Sequence, residues 1–172
     1  MANNMCKVVT GVVLILEKDN KILLFKRNMP NKIAYGKFCL PGGTVEHNES
    51  IIQTVSREAY EEIGIVINPC DVQIVHLQRL REKYDLVSQV TEQILMLYFA
   101  VITFWKGEPK NLEPEKHSDL GWFDKDALPQ NMFEYNVLGL NDIKSSIPFS
   151  EYGWQVVYNQ AVTEEVVSEK IL

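Results

Sequence analysis

The segment from Asn48 to Gly64 leaves the chain little choice of local structure. Ile51, Ile52, Val55, Ala59 and Ile63 recur at helical spacing. At about 100° per residue they fill one stripe roughly 120° wide on a helix surface. Burying each Ile or Val in that stripe contributes roughly 1.5–3 kcal/mol, enough to fix which face turns inward. Asn48 is the expected N-cap, with Glu49 in the first turn, where the helix dipole favours a carboxylate. Gly64 suits the left-handed residue that ends a helix. Three glutamates ride on the same helix. Glu58, Glu61 and Glu62 lie within an arc of roughly 100° that adjoins the apolar stripe, so they belong at the edge of the core. On a solvated face each like-charged pair would cost about 0.2–0.5 kcal/mol. About 5 Å apart in a site of effective dielectric near 20, each pair would repel by roughly 3 kcal/mol. Energy alone leaves both readings open.

The flanking residues add chemistry to the cluster. Clustered hard oxygen ligands suit Mg²⁺ or Mn²⁺, which bind few carboxylates and keep water or substrate phosphate as their other ligands. Gly42 and Gly43 allow backbone carbonyls or amides to approach such an ion. Arg57, one turn before Glu61, is placed to hold a carboxylate by a bidentate contact.

Around this helix the chain alternates strands and helices, which gives an α/β or α+β class. Val8 to Leu16 is a near-continuous apolar run that reads as a buried strand. A polar turn at Lys18-Asp19-Asn20-Lys21 leads to a second strand ending in Lys26-Arg27, as in a hairpin. Phe38-Cys39-Leu40 is a short extended piece stopped by Pro41-Gly42-Gly43. Further strands are expected at Val72–Leu80, Ile94–Phe104 and Leu120–Phe123. The polar stretch Arg81–Glu92 reads as a long connection, and Lys106–Ser118 as a loop. A helix is expected over Asn136–Ser145. The tail from Gln155 carries no assignable pattern. One domain spans residues 1–172, with a core over about 5–150 and an extension over 151–172.

The net charge of −6 argues against a general nucleic-acid binder, whose affinity rests on a basic surface. It is compatible with a phosphorylated small molecule when a divalent cation supplies positive charge locally. Cys6, Cys39 and Cys70 form no CxxC pair, so neither a zinc site nor a disulfide framework is expected. Buried thiols in a reducing, cytoplasmic setting are the expectation. No apolar run reaches the roughly 18 residues of a membrane span, and the N-terminus lacks a secretory layout. His47, His76 and His117 show no metal-like spacing and are expected to be structural or exposed.

Taken together, Gly43 to Ile65 reads G-x5-E-x7-R-E-U-x-E-E-x-G-U, with Ala59 and Ile65 at the aliphatic places U. This resembles the Nudix box at every fixed position. At roughly 6% per residue type, the seven fixed positions would match by chance on the order of once in a million sequences. The strand ending in Lys26-Arg27, the Phe38-to-Gly43 approach and the Trp122-Phe123 strand are similar to the family as well. The resemblance implies a mixed sheet in an α/β/α sandwich, with the box as loop–helix–loop. It implies hydrolysis of a diphosphate linked to another moiety, by water attack at phosphorus, with Mg²⁺ or Mn²⁺. Glu58, Glu61 and Glu62 would bind metal with the Gly43 carbonyl. Arg57 would orient them, and Glu49 would support them or bind a secondary metal. The general base would be a box glutamate or a later-loop glutamate, Glu113 or Glu115, with Glu92 as a third candidate. Arg27 and Gly42 would contact substrate, and Trp122 and Phe133 would line the base pocket.

The chain is most similar to the MutT-like branch, which implies a nucleoside triphosphate, including oxidised purine forms, cleaved to monophosphate and pyrophosphate. ADP-ribose-cleaving relatives often carry a proline some fifteen residues past the box, and Arg79 stands near that place. Two other readings stay open: hydrolysis of ADP-ribose or another nucleotide sugar, and a nucleotide-binding module without catalysis. The implied partner is a small nucleotide, with no stable nucleic acid and no membrane. Homodimers are common in the family.

Overall fold

The computed structural model describes residues 7–30, 32, 34–86 and 89–154, with the side chains of 83–92 outside that description. Strand β1, Lys7–Lys18, organises the molecule because both of its faces are buried. Val12, Leu14 and Leu16 point into one core cluster, and Val13 and Ile15 into a second. That two-sided burial is why the run lacks polar alternation. A two-residue turn joins β1 to β2, Lys21–Arg27, with Asp19 and Asn20 both at positive φ, 52° and 60°. Short polar residues tolerate that conformation, and its twist matches the hairpin.

The sheet has seven strands and is mixed. β3 is Phe38–Cys39, β4 Val72–Leu86, β5 Gln89–Ile102, β6 His117–Asp124 and β7 Phe149–Tyr152. The order is β3-β2-β1-β5-β4-β7, with β6 paired to β2. β1 runs parallel to β5, and β4 parallel to β7, while β4 and β5 are antiparallel. β1 and β2 pair only next to their turn, at Glu17 with Ile22 and Lys18 with Lys21. Beyond that point the edge of β1 is taken by the loop after β3. Leu14 N donates to Pro41 O at 2.8 Å, Val12 N to Gly43 O at 2.9 Å, and Val45 N to Thr10 O at 2.9 Å. The glycine loop is thereby stitched onto the central strand.

Helix α1, Ile51–Ile63, covers one face of the sheet through Val55, Ala59 and Ile63. Helix α2, Glu134–Lys144, covers the other with Leu140 and Ile143. The result is the α/β/α sandwich. α2 approaches closely at Gly139, where an added Cβ would lie 2.1 Å from Phe99 Cζ.

Several expectations are corrected. Ser50, and not Asn48, caps α1. Its hydroxyl accepts from Gln53 N at 3.2 Å, and the Gln53 side chain accepts from Ser50 N at 2.8 Å. Asn48 sits in the left-handed region at φ 67° and turns the chain into that cap. Most of the Arg81–Glu92 stretch is strand: β4 runs on to Leu86 and β5 begins at Gln89, with Lys83 opposite Glu92. Its polarity hid a hairpin arm. Cys39 is buried as expected, but Cys70 is exposed. A strand the sequence did not suggest, β7, pairs with β4. The Glu92 side chain, Cys6 and the tail from Gln155 lie outside the described residues. Among the described residues no helix is long and apolar enough to cross a membrane.

Candidate active site

The α1 helix ends by handing its glutamates to the glycine loop. Gly64 closes the helix at φ 70°, with its N–H bonded to Tyr60 O at 3.0 Å. Glu58 and Glu62 are buried on the inner side, while the Glu61 side chain is 51% exposed. Gly42 N donates to Glu62 Oε2 at 2.8 Å. Gly42 holds a φ of 149°, and a Cβ there would meet Val12 O at 2.1 Å. At Gly43 an added Cβ would lie 2.0 Å from Glu58 Oε1, so that carboxylate occupies the space a side chain would take. Both glycines are therefore required by close approach, and Gly42 by its backbone conformation as well.

Arg57 is the hub of the cluster. Its Nε and Nη2 grip Glu49 Oε1 and Oε2 at 2.9 and 3.0 Å. Its Nη1 donates to Glu58 Oε1 at 2.8 Å and to Glu61 Oε2 at 2.9 Å, and Nη2 reaches Thr44 O at 3.0 Å. The bidentate partner is Glu49, eight residues back, and not Glu61. Buried Thr54 fixes Glu49 further, its hydroxyl donating to Oε2 at 2.9 Å. Arg57 holds the Glu49 carboxyl down at about 2, and Glu49 in turn raises the Arg57 guanidinium.

The late loop brings one more carboxylate. Leu112 N bonds to Glu62 O and Lys110 N to Ile63 O, both at 2.9 Å, which docks the loop on the end of α1. Asn111 staples it, accepting from Glu113 N at 3.1 Å and donating to His117 O at 2.7 Å. Ligand atoms of Glu62, Glu113 and His117 then lie within 4.8 Å of one another. Glu115 stays exposed. Lys116 Nζ bonds Glu113 Oε1 at 2.5 Å. Burial raises the Glu58 carboxyl above its ordinary range, opposed by Arg57. Burial, with Glu58 and Glu113 nearby, pushes Glu62 up to about 8. A hard divalent cation would neutralise carboxylates crowded and buried in this way. Their oxygens, set against an open glycine loop, fit such an ion.

Other expected residues fall nearby or elsewhere. Arg27 lies at the end of β2 opposite His117, and its Nε is buried without a partner among the described residues. Trp122 stacks on Trp105, with centroids 5.8 Å apart, and packs against the cluster under α1. The ring is partly buried there, packed on one side against the core. Phe133 stands at the start of α2, 4.7 Å from Tyr135, and its N–H donates to Phe38 O at 2.8 Å. Sequence reading missed Asn136, whose buried side chain accepts from Leu40 N at 3.0 Å and ties α2 to the approach of the glycine loop. Histidine spacing also gave no sign that His117 lies beside Glu62 and Glu113, because these neighbours come from α1 and the late loop.

A NUDIX domain family model matches residues 5–138. The chain belongs to the Nudix hydrolase family. An 8-oxo-dGTP diphosphatase of Escherichia coli is 29% identical over 131 residues, covering 73% of this chain and 90% of that protein. An ADP-ribose pyrophosphatase of Methanocaldococcus jannaschii is 55% identical over 53 residues, 30% of either chain. The chain spans 30%, 65% and 39% of the length of three curated relatives it matches. The crystal structure of a MutT NUDIX hydrolase from Burkholderia pseudomallei aligns with TM-score 0.64 at 27% identity, covering 78% of this chain and 97% of that one.

Proposed function

We propose that this Nudix protein is a divalent-metal-dependent pyrophosphohydrolase acting on nucleoside triphosphates, releasing monophosphate and pyrophosphate. The observation that carries the reading is the buried Glu58–Glu62 pair, pressed against Gly42-Gly43 and held from outside by Arg57. Glu58, Glu61, Glu62 and the Gly43 carbonyl would hold Mg²⁺, or Mn²⁺ in its place. Bound there, such an ion neutralises the diphosphate, lowers the pKa of a water and stabilises the leaving group.

The chain's own groups do the positioning. Arg57 locks Glu49, Glu58 and Glu61 in one geometry, and the Gly42 N–H orients Glu62. Glu113, brought beside Glu62 by the late loop, would take the proton of the attacking water; exposed Glu115 is further from that role. Arg27, with its unpartnered Nε, would take a phosphate oxygen. Phe133 would border the base.

The E. coli relative named for 8-oxo-dGTP supports an oxidised purine triphosphate as substrate. The strongly identical 53-residue match to an ADP-ribose pyrophosphatase supports a second reading, a nucleotide-sugar diphosphate. A panel of dNTPs, 8-oxo-dGTP, ADP-ribose and UDP-sugars, incubated in Mg²⁺ with product identification, separates them. Pyrophosphate plus monophosphate is the expected outcome. Sugar phosphate as the main product would establish the second reading. Tight nucleotide binding with no phosphorus product would point to a binding module instead.

A further inference from the structure

We propose that His117 supplies a nitrogen ligand to a divalent ion that Glu62 and Glu113 also hold, and that this nitrogen shifts the site's preference from Mg²⁺ toward first-row transition ions. The proposal rests on Glu62 being a metal ligand, as in the function above.

His117 is 5% exposed, and its ring lies flat on Phe25, with centroids 3.7 Å apart and planes 21° from parallel. Its backbone is tied on both sides: its N–H donates to Glu113 O at 2.9 Å and its carbonyl accepts from Asn111 at 2.7 Å. The imidazole is therefore held in place beside Glu62 and Glu113. Among the described residues Nδ1 is buried without a hydrogen-bond partner, and Nε2 faces Glu62 Oε1 at 3.7 Å, an ion-pair separation beyond hydrogen-bond reach. A buried polar group left unpaired is costly, so a fixed, unpartnered imidazole beside two carboxylates calls for a ligand.

Neutral imidazole is a good ligand for first-row transition ions, whereas Mg²⁺ prefers oxygen alone. Two carboxylates and one imidazole form a mixed O/N set, unlike the all-oxygen set of Glu58, Glu61 and the Gly43 carbonyl.

The test uses Mn²⁺ on the full chain, with and without a non-hydrolysable nucleoside triphosphate, read by pulsed electron paramagnetic resonance. Wild type is expected to show a nitrogen coupling of direct Mn²⁺–imidazole ligation. The coupling should vanish in His117→Gln and His117→Asn and persist in His47→Gln, an exposed histidine outside the cluster. Mn²⁺ affinity should fall at least about tenfold in His117→Gln, the loss typical of removing even an outer partner of a ligand, and the Mn²⁺:Mg²⁺ preference should fall with it. Circular dichroism melting confirms that each variant is folded. If wild type binds Mn²⁺ and hydrolyses nucleotide but shows no nitrogen coupling, His117 is no ligand, while the hydrolase reading stands. If no Mn²⁺ binds under either condition, both fall.

Discussion

At the scale of single residues, Arg57 and Glu62 carry opposite burdens. Arg57 satisfies three carboxylates at once, and lysine lacks the planar fork that does so. Arg57→Lys should lower kcat/KM by roughly 10–100-fold, the range seen when the supports of metal ligands are removed, while a far-ultraviolet spectrum stays unchanged. Glu49 is held at about 2, against an ordinary 4.5, by Arg57. A carboxyl depressed on folding contributes stability above its unfolded value and loses it as pH falls through the folded value. Wild type should therefore lose stability between pH 4.5 and 2 more steeply than Glu49→Gln, as followed by urea titration at each pH. Glu62 is shifted the other way, up to about 8, so the metal-free site carries a proton near neutrality. Mn²⁺ must displace it. Binding should release about one proton at pH 7 and tighten as pH rises toward 8, measured by calorimetry in buffers of different ionisation enthalpy. Zero proton release would contradict the burial assigned to Glu62. Sequence spacing placed these glutamates at the edge of the core because a helical wheel is a local property. It could not place Glu113 or His117, since their approach depends on loop bonds to Glu62 O and Ile63 O.

At the scale of elements, local rules held wherever one element decided its own ends. Val55, Ala59 and Ile63 of the apolar stripe face the core with Ile51 at its edge, and Gly64 closes the helix, as the sequence reads, while Ile52 joins neither core cluster. The cap was misplaced by two residues because Asn48 and Ser50 are both good caps, and only the reciprocal Gln53 bond distinguishes them. Arg81–Glu92 misled for a different reason. A hairpin arm extending past the core needs backbone pairing more than an apolar face, so its pattern looks like a loop. β7 was missed because four residues after Pro148 carry too short a period, and their place is set by β4. Close packing gives a test at this scale. Gly139→Ala gains helix propensity of about 1 kcal/mol, yet its methyl group meets the Phe99 ring. Overpacking of that kind costs about 1–3 kcal/mol, so the variant should melt below wild type. A rise in melting temperature would show that α2 stands further from β5 than described.

At the scale of the whole molecule, the two buried faces of β1 create a sandwich whose split edge accepts the glycine loop. That loop, the end of α1 and the late loop converge on one carboxylate cluster, although they are far apart in sequence. The family was legible because its pattern sits within one 23-residue segment, Gly43 to Ile65. A base-binding wall was not, because Trp122 and Phe133, its two candidates, sit on separate elements, β6 and the start of α2, whose approach local patterns do not encode. A ligand bound at 100 times its dissociation constant stabilises by about 2.7 kcal/mol. Mg²⁺ with a nucleoside triphosphate analogue should thus raise the melting temperature by roughly 5–10 °C in wild type, and far less in Glu62→Gln. The most direct measurement is nucleoside triphosphate hydrolysis in Mg²⁺ by wild type and Glu62→Gln, followed by ³¹P nuclear magnetic resonance so that products are identified in the same run. Monophosphate and pyrophosphate should appear with wild type, and the folded variant should be at least about a hundredfold slower. Wild-type rates from Glu62→Gln, or no phosphorus product from folded wild type with any diphosphate-bearing nucleotide, would contradict the account.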